Sequence, residues 1–142
     1  MLCNELMALG TDMDDYKVLL CFKEHYKAWR SFLCEYSDCS PKEAKKSLIR
    51  LVHLATPTRQ IPFLWALAYE LKKAVAIVLD QDKFRYLQDM FHLKRHPDAT
   101  RLHFALASIE DSILQDLADS LTSIPDVHIN SYMFDGAVVR AP

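Results

Sequence analysis

Hydrophobic side chains recur every three or four positions along most of the chain, which is the period of an amphipathic helix. The clearest stretch predicts one helix over about residues 16–36, with a single buried stripe. That stripe consists of Leu19, Phe22, Tyr26, Trp29, Leu33 and Tyr36. We interpret its aromatic residues as core packing rather than as a surface for stacking nucleic-acid bases.

The same period predicts further helices on both sides of this one. Residues 1–10 form a short helix ending near Gly10, and Asp14 or Asp15 is expected to cap the helix that follows. Helices are also expected over about residues 63–80 and 99–121, with a short one around 84–92. The buried stripe of the 63–80 helix is Leu64, Leu67, Ala68, Leu71, Val75 and Val78, and that of the last helix is Leu102, Leu106, Ile109, Ile113, Leu117 and Leu121.

The helix over about residues 41–54 has the most specific start signal in the chain. In Ser40-Pro41-Lys42-Glu43, a serine N-cap precedes a proline at the first helical position, and a glutamate follows that can return the capping hydrogen bond. This helix should bury Ala44, Leu48, Leu51 and Val52. Its other side carries Lys42, Lys45, Lys46, Ile49 and His53.

In the last stretch, residues 127–140, the pattern of hydrophobic and polar residues departs from the helical period and predicts a β-hairpin. Asp135 and Gly136 lie at its turn, so Asp135 is either a turn residue or a rigidly held carboxylate. The pattern as a whole predicts a mostly α (α+β) fold, a bundle of five to six helices with a C-terminal β-hairpin.

Composition narrows the class of protein. A chain of 142 residues that is 51% hydrophobic predicts a single domain over residues 1–142. The net charge of −2 gives no general footprint for nucleic acid, although Lys42, Lys45, Lys46 and Arg50 cluster. Four cysteines without a CxxC pair and no signal-peptide pattern predict an intracellular protein with reduced thiols. No apolar run approaches the ~20 residues of a membrane span, so no membrane partner is expected.

The order of these elements resembles the fingers-and-palm half of family A DNA polymerases, and more closely the divergent polymerase-like proteins of large viruses and protists. In that family a fingers helix carries the pattern Arg-x3-Lys-x7-Tyr-Gly. Lys45 and His53 fall on the lysine and tyrosine positions of this pattern. Pro41 stands where the family has arginine, and Leu54 stands where it has glycine.

The hairpin extends the resemblance. Phe134-Asp135-Gly136 is similar to the hairpin apex of the divergent members and follows a helix that contains Ser108-Ile109-Glu110-Asp111. The resemblance implies that residues 16–98 are fingers-like and residues 99–142 palm-like. It also implies that Asp135 is a catalytic carboxylate that binds Mg²⁺, that Lys45 binds nucleotide phosphates, and that His53 lies beside the base or sugar. The implied partners are deoxynucleoside triphosphates and a DNA primer-template.

One part of the family's site has no counterpart. The first metal-binding aspartate belongs on a strand before the fingers, whereas Asp12, Asp14 and Asp15 lie in a predicted loop. We therefore expect a fragment or remnant of a template-dependent nucleotidyltransferase, inactive alone.

Two other functions are compatible with the same residues. The chain is alternatively a non-catalytic helical protein-interaction domain, with the hairpin as a clasp and the basic helix as a docking face for an unknown protein partner. A third reading is nucleic-acid binding without catalysis, through the basic helix and Lys94-Arg95-His96.

Overall fold

The computed structural model describes residues 1–94, 96–133 and 136–140, with side chains described up to residue 129 apart from residue 95. The described chain is mostly helical, which confirms the predicted class. Its elements are α1 (Leu2–Ala8), α2 (Lys17–Glu24), α3 (Tyr26–Ser37), α4 (Pro41–Val52), α5 (Pro62–Leu79), α6 (Pro97–Thr122), β1 (His128–Met133) and β2 (Gly136–Arg140), with 3-10 turns at Met13–Tyr16 and Asp82–Leu87.

The chain divides into two compact units, residues 1–102 and residues 103–142. In the first unit, α5 packs against α1, α2 and α4. Because it has neighbours on several sides, α5 is apolar around much of its circumference. The buried stripe expected for the 63–80 helix is confirmed, since every one of its members is at most 7% exposed.

The prediction of a single helix over residues 16–36 is wrong. The chain forms α2 and α3 instead, with a break at His25, whose φ and ψ are −118° and 31°. The break allows α2 to pack on α5 while α3 packs on α4. The start of α2 is held from a distance, because the Glu70 carboxylate of α5 accepts hydrogen bonds from the backbone N–H groups of Val18, at 3.3 Å, and Leu19, at 2.7 Å.

Several local expectations also need correction. Asp12, rather than Asp14 or Asp15, caps the 3-10 turn that precedes α2, accepting from the Asp14 N–H at 2.9 Å. Tyr36 is 62% exposed and Val52 is 39% exposed, so neither belongs to the core. The short helix expected around residues 84–92 is the 3-10 turn Asp82–Leu87.

The second unit contains most of α6 and the two strands. β1 and β2 pair antiparallel, with His128 opposite Arg140 and Met133 opposite Gly136. The register shifts between Ile129 and Ser131. The predicted buried stripe of α6 is wrong at two positions, because Ile113 is 57% exposed and Leu117 is 42% exposed.

No helix in the described part of the chain is long and apolar enough to cross a membrane.

Candidate nucleotide-binding site

Helix α4 begins with the capping box that its sequence predicts. The Ser40 hydroxyl accepts from the Glu43 N–H at 3.3 Å, and a Glu43 carboxylate oxygen accepts from the Ser40 N–H at 2.9 Å. The Ser40 hydroxyl also donates to that carboxylate oxygen at 2.8 Å, and this bond, together with the one from the Ser40 N–H, holds the pKa of Glu43 below its ordinary value. An N-cap of this kind stabilises a helix by about 1 kcal/mol, so the register of α4 is set by its first residues.

Burial on one side of α4 decides which residues face solvent. Ala44 and Leu48 are fully buried and Leu51 is 2% exposed, which turns the opposite side of the helix outward. Lys45, Ile49 and His53 then form one exposed ridge at i, i+4 and i+8. At 1.5 Å per residue, Lys45 and His53 are about 12 Å apart along the helix axis.

Lys45 differs from two other lysines of the first unit, which form ion pairs. Lys73 pairs with Asp15 at 2.9 Å, and Lys83 pairs with Glu5 at 2.7 Å. Among the residues that the structure describes, the ammonium group of Lys45 has no ion-pair or hydrogen-bond partner. Its ammonium group is therefore available to an anion from solution.

Two of the three residues expected at the site are exposed, but the structure does not bring them together. Lys45 lies on α4 and His53 is its C-cap, about 12 Å away along the helix axis. Asp135, expected to bind Mg²⁺, lies outside the described residues. Over the part of the chain that is described, no group of three or more His, Cys, Asp or Glu side chains is placed to hold a metal ion.

Sequence reasoning missed an aromatic cluster on the first unit. Phe63, at the start of α5, packs edge-on against Trp29 at a centroid distance of 4.9 Å and against Phe32 at 5.2 Å. Phe32 stacks on Tyr36, and these two rings are 48% and 62% exposed. The helical period found Trp29 and Tyr36 but not Phe32, and it gave no sign that Phe63 joins them or that the outer end of the cluster faces solvent.

A wider pocket, of about 700 Å³, also lies in the first unit. Its lining includes Leu54, Lys72, Asp80, His96 and Arg101. Arg101 is already occupied, donating to the backbone oxygens of Leu87 at 3.0 Å and Gln88 at 2.6 Å. These residues come from four separate segments, so no sequence pattern indicated the pocket.

No protein-family model, curated protein or solved structure matches this chain.

Proposed function

We propose that this chain supplies the nucleotide-binding helix of a template-dependent nucleotidyltransferase of the family A DNA polymerase type. In this proposal Lys45 binds the phosphates of an incoming deoxynucleoside triphosphate, and His53 lies beside its base or sugar. The exposure of both residues supports these roles, because Lys45 lies on the solvent-facing side of α4 and His53 is the exposed C-cap of the same helix. A charge-assisted hydrogen bond from Lys45 to a phosphate oxygen contributes about 1.5–3 kcal/mol.

The observation that carries the proposal is the backbone conformation of Leu54, the position where the family pattern has glycine. Leu54 has a φ of 61°, in the left-handed region that favours glycine. It closes α4, since its N–H donates to the Leu51 oxygen at 2.8 Å and the Ala55 N–H donates to the Arg50 oxygen at 2.9 Å. This is the Schellman arrangement, in which glycine is the usual residue. The position at which the family pattern has glycine is thus the position at which this chain adopts a backbone conformation that favours glycine.

Asp135 enters this proposal only through the resemblance. Carboxylate oxygens are the ligands that Mg²⁺ prefers, and Mg²⁺ would supply charge stabilisation for phosphoryl transfer. A two-metal site needs more than one carboxylate, and the described residues contain no metal-binding cluster to provide the others. Lys45 alone can hold and orient a triphosphate but cannot transfer it.

Nucleotide binding tests the role of Lys45 directly. We expect Lys45→Gln to weaken binding of thymidine triphosphate about tenfold, because one charge-assisted contact is lost. Lys72→Gln removes the same charge from an exposed position of a different helix, α5, and should change the affinity less than about twofold. Isothermal titration calorimetry with Mg²⁺ present measures both. Equal losses in the two variants would contradict the assignment of Lys45.

Primer extension tests the catalytic part. The full-length gene product is assayed on a primed template with deoxynucleoside triphosphates and Mg²⁺, with and without the substitution Asp135→Asn. We expect extension by the wild type and its loss in the variant, since the amide is a poor replacement for a metal-binding carboxylate. Equal extension by both proteins would overturn the role of Asp135.

The exposed end of the aromatic cluster favours a second candidate, a non-catalytic protein-interaction domain. Phe32 and Tyr36 present stacked rings to solvent beside Trp29, and exposed aromatic residues are common at protein interfaces. This alternative predicts that thymidine triphosphate and Mg²⁺ leave the melting temperature unchanged. A ligand that binds only the folded state must raise that temperature, so a clear increase would favour the nucleotidyltransferase.

A further inference from the structure

A narrow crevice lies where the end of α4 meets the loop that leads to α5. Its lining residues include two arginines and three residues with hydroxyl groups, namely Ser47, Arg50, Thr56, Thr58 and Arg59. Its apolar lining includes the buried residues Leu51, Pro57 and Leu64. Among the described residues that line the crevice, none is a carboxylate. Its polar groups are therefore hydrogen-bond donors backed by positive charge.

The loop is held in place by contacts on both sides of Arg59. One guanidinium nitrogen of Arg59 donates to the Ser37 oxygen at 3.0 Å, and the Trp65 indole N–H donates to the Arg59 oxygen at 3.2 Å. Pro57 and Ile61 are buried, which anchors the loop against the core. The guanidinium group of Arg50, by contrast, makes neither a hydrogen bond nor an ion pair with the described residues. One guanidinium is thus anchored, and the other is available to a ligand.

The balance of charge at this crevice is positive. The C-terminus of α4 contributes about −0.5 of an elementary charge, which is smaller than the charge of either guanidinium. Arg59 also lies near Glu43, whose pKa is lowered mainly by its hydrogen bonds from Ser40 and to a smaller degree by Arg59. Even with the charge of Arg59 offset by the Glu43 carboxylate, the positive charge of Arg50 is larger than the negative partial charge of the helix end.

The size of the crevice limits what can enter it. Its interior volume is about 20 Å³, which is room for one or two groups of the size of water. A single oxygen of a phosphate group fits such a space while the rest of the group stays at its mouth, whereas a nucleobase or a sugar ring is too large to enter. Guanidinium groups recognise phosphate by parallel N–H bonds, and threonine and serine hydroxyls add further donors.

We propose that this crevice binds a single phosphate group, with Arg50 and Arg59 as the charged donors and Thr58 as a neutral one. The inference does not rest on the proposed nucleotide site, because neither Lys45 nor His53 lines the crevice. The phosphate can come from the solution as a free ion or from the backbone of a nucleic-acid strand.

The test follows the resonances of the arginine Nε–H groups and of the loop amides of residues 56–59 during titration with inorganic phosphate at constant ionic strength. We expect saturable shifts in the wild type. Arg50→Gln should weaken binding about tenfold, as expected for one lost charge-assisted contact. Lys42→Gln removes a charge from the exposed start of the same helix and should change the affinity less than about twofold. Non-saturable shifts, or equal weakening in both variants, would overturn the proposal.

A neutral substitution separates local contacts from net charge. Thr58→Val keeps the shape of the side chain and the charge of the protein but removes one donor, and should weaken phosphate binding about threefold to tenfold. Arg50 and Thr58 are both exposed, and an unchanged melting temperature in each variant confirms folding. Unaltered phosphate affinity in a folded Arg50→Gln protein would also contradict the assignment.

The source of the phosphate is decided by competition. A short single-stranded oligothymidylate is added to the phosphate-saturated protein while the same resonances are followed. Displacement of phosphate with shifts at Arg50 and Arg59 identifies a strand backbone as a ligand. Retention of phosphate identifies the free ion, and both results uphold the phosphate site that the first titration establishes.

Discussion

Helices α4 and α5 of the first unit use their charged side chains in different ways. On α5, Glu70 holds the first turn of α2, and Lys73 pairs with Asp15. On α4, Lys45 and Arg50 have no such partners among the described residues. The charges of Glu70 and Lys73 therefore serve the fold, whereas those of Lys45 and Arg50 are available to a ligand, and stability and binding measurements should separate the two helices.

Truncating the core side of α5 should have the largest effect. Leu67 is fully buried, so Leu67→Ala should lower the free energy of unfolding by about 2–5 kcal/mol, from lost apolar contact and the cavity left behind. Ile49→Ala on the α4 ridge, where the side chain is 41% exposed, should cost less than about 1 kcal/mol. Urea denaturation measures both. Similar losses would show that the α4 ridge is covered in solution.

The sequence predicted α5 and the start of α4 because their signals are local. The apolar positions of α5 repeat within one continuous segment, and the capping box of Ser40 and Glu43 spans only four residues. The prediction failed where distant residues decide the structure. Glu70 holds the start of α2 from 52 positions away from Val18, and α3 turns at His25 to pack on α4.

Only part of each proposed binding site could be predicted from the sequence. Lys45 lies on α4 and His53 follows directly as its C-cap, so the helical period placed them on one face. The crevice combines Arg50 from a helix with Arg59 from a loop, and their proximity depends on how the chain turns after α4. That turn uses a left-handed Leu54, a conformation that a sequence pattern predicts readily for glycine but not for leucine.

Substitutions of Leu54, at the end of α4, should have an intermediate effect on stability. Leu54 adopts a left-handed conformation, whereas Asp80 at the end of α5 is right-handed with a φ of −77°. Leu54→Gly and Leu54→Ala lose the same side-chain contacts beyond Cβ, but only glycine avoids the conformational cost. We expect the glycine variant to exceed the alanine variant in stability by about 1 kcal/mol. Thermal and urea unfolding measure this difference, and an alanine variant that equals the glycine variant would contradict the left-handed turn.

The smallest effect should come from the exposed ion pair on α5. The Lys73 ammonium, which donates to Asp15 at 2.9 Å, lowers the pKa of that carboxyl below its ordinary value of 3.8. A folded-state pKa below the unfolded one means that the stabilisation is fully present above pH 3.8 and is lost as the pH falls through the lower folded pKa. Wild type should therefore exceed Lys73→Gln in stability at neutral pH, and the difference should shrink below that value.

Lys46→Gln on α4 is the matched control for this pH dependence, because Lys46 has no ion-pair partner among the described residues. Urea unfolding of the three proteins between neutral and acidic pH gives the comparison. We expect the curve of the Lys46 variant to run parallel to that of the wild type and the curve of the Lys73 variant to converge with it in acid. If the Lys46 curve also converged, α4 would have an acidic partner, and its lysines would serve the fold as Lys73 does.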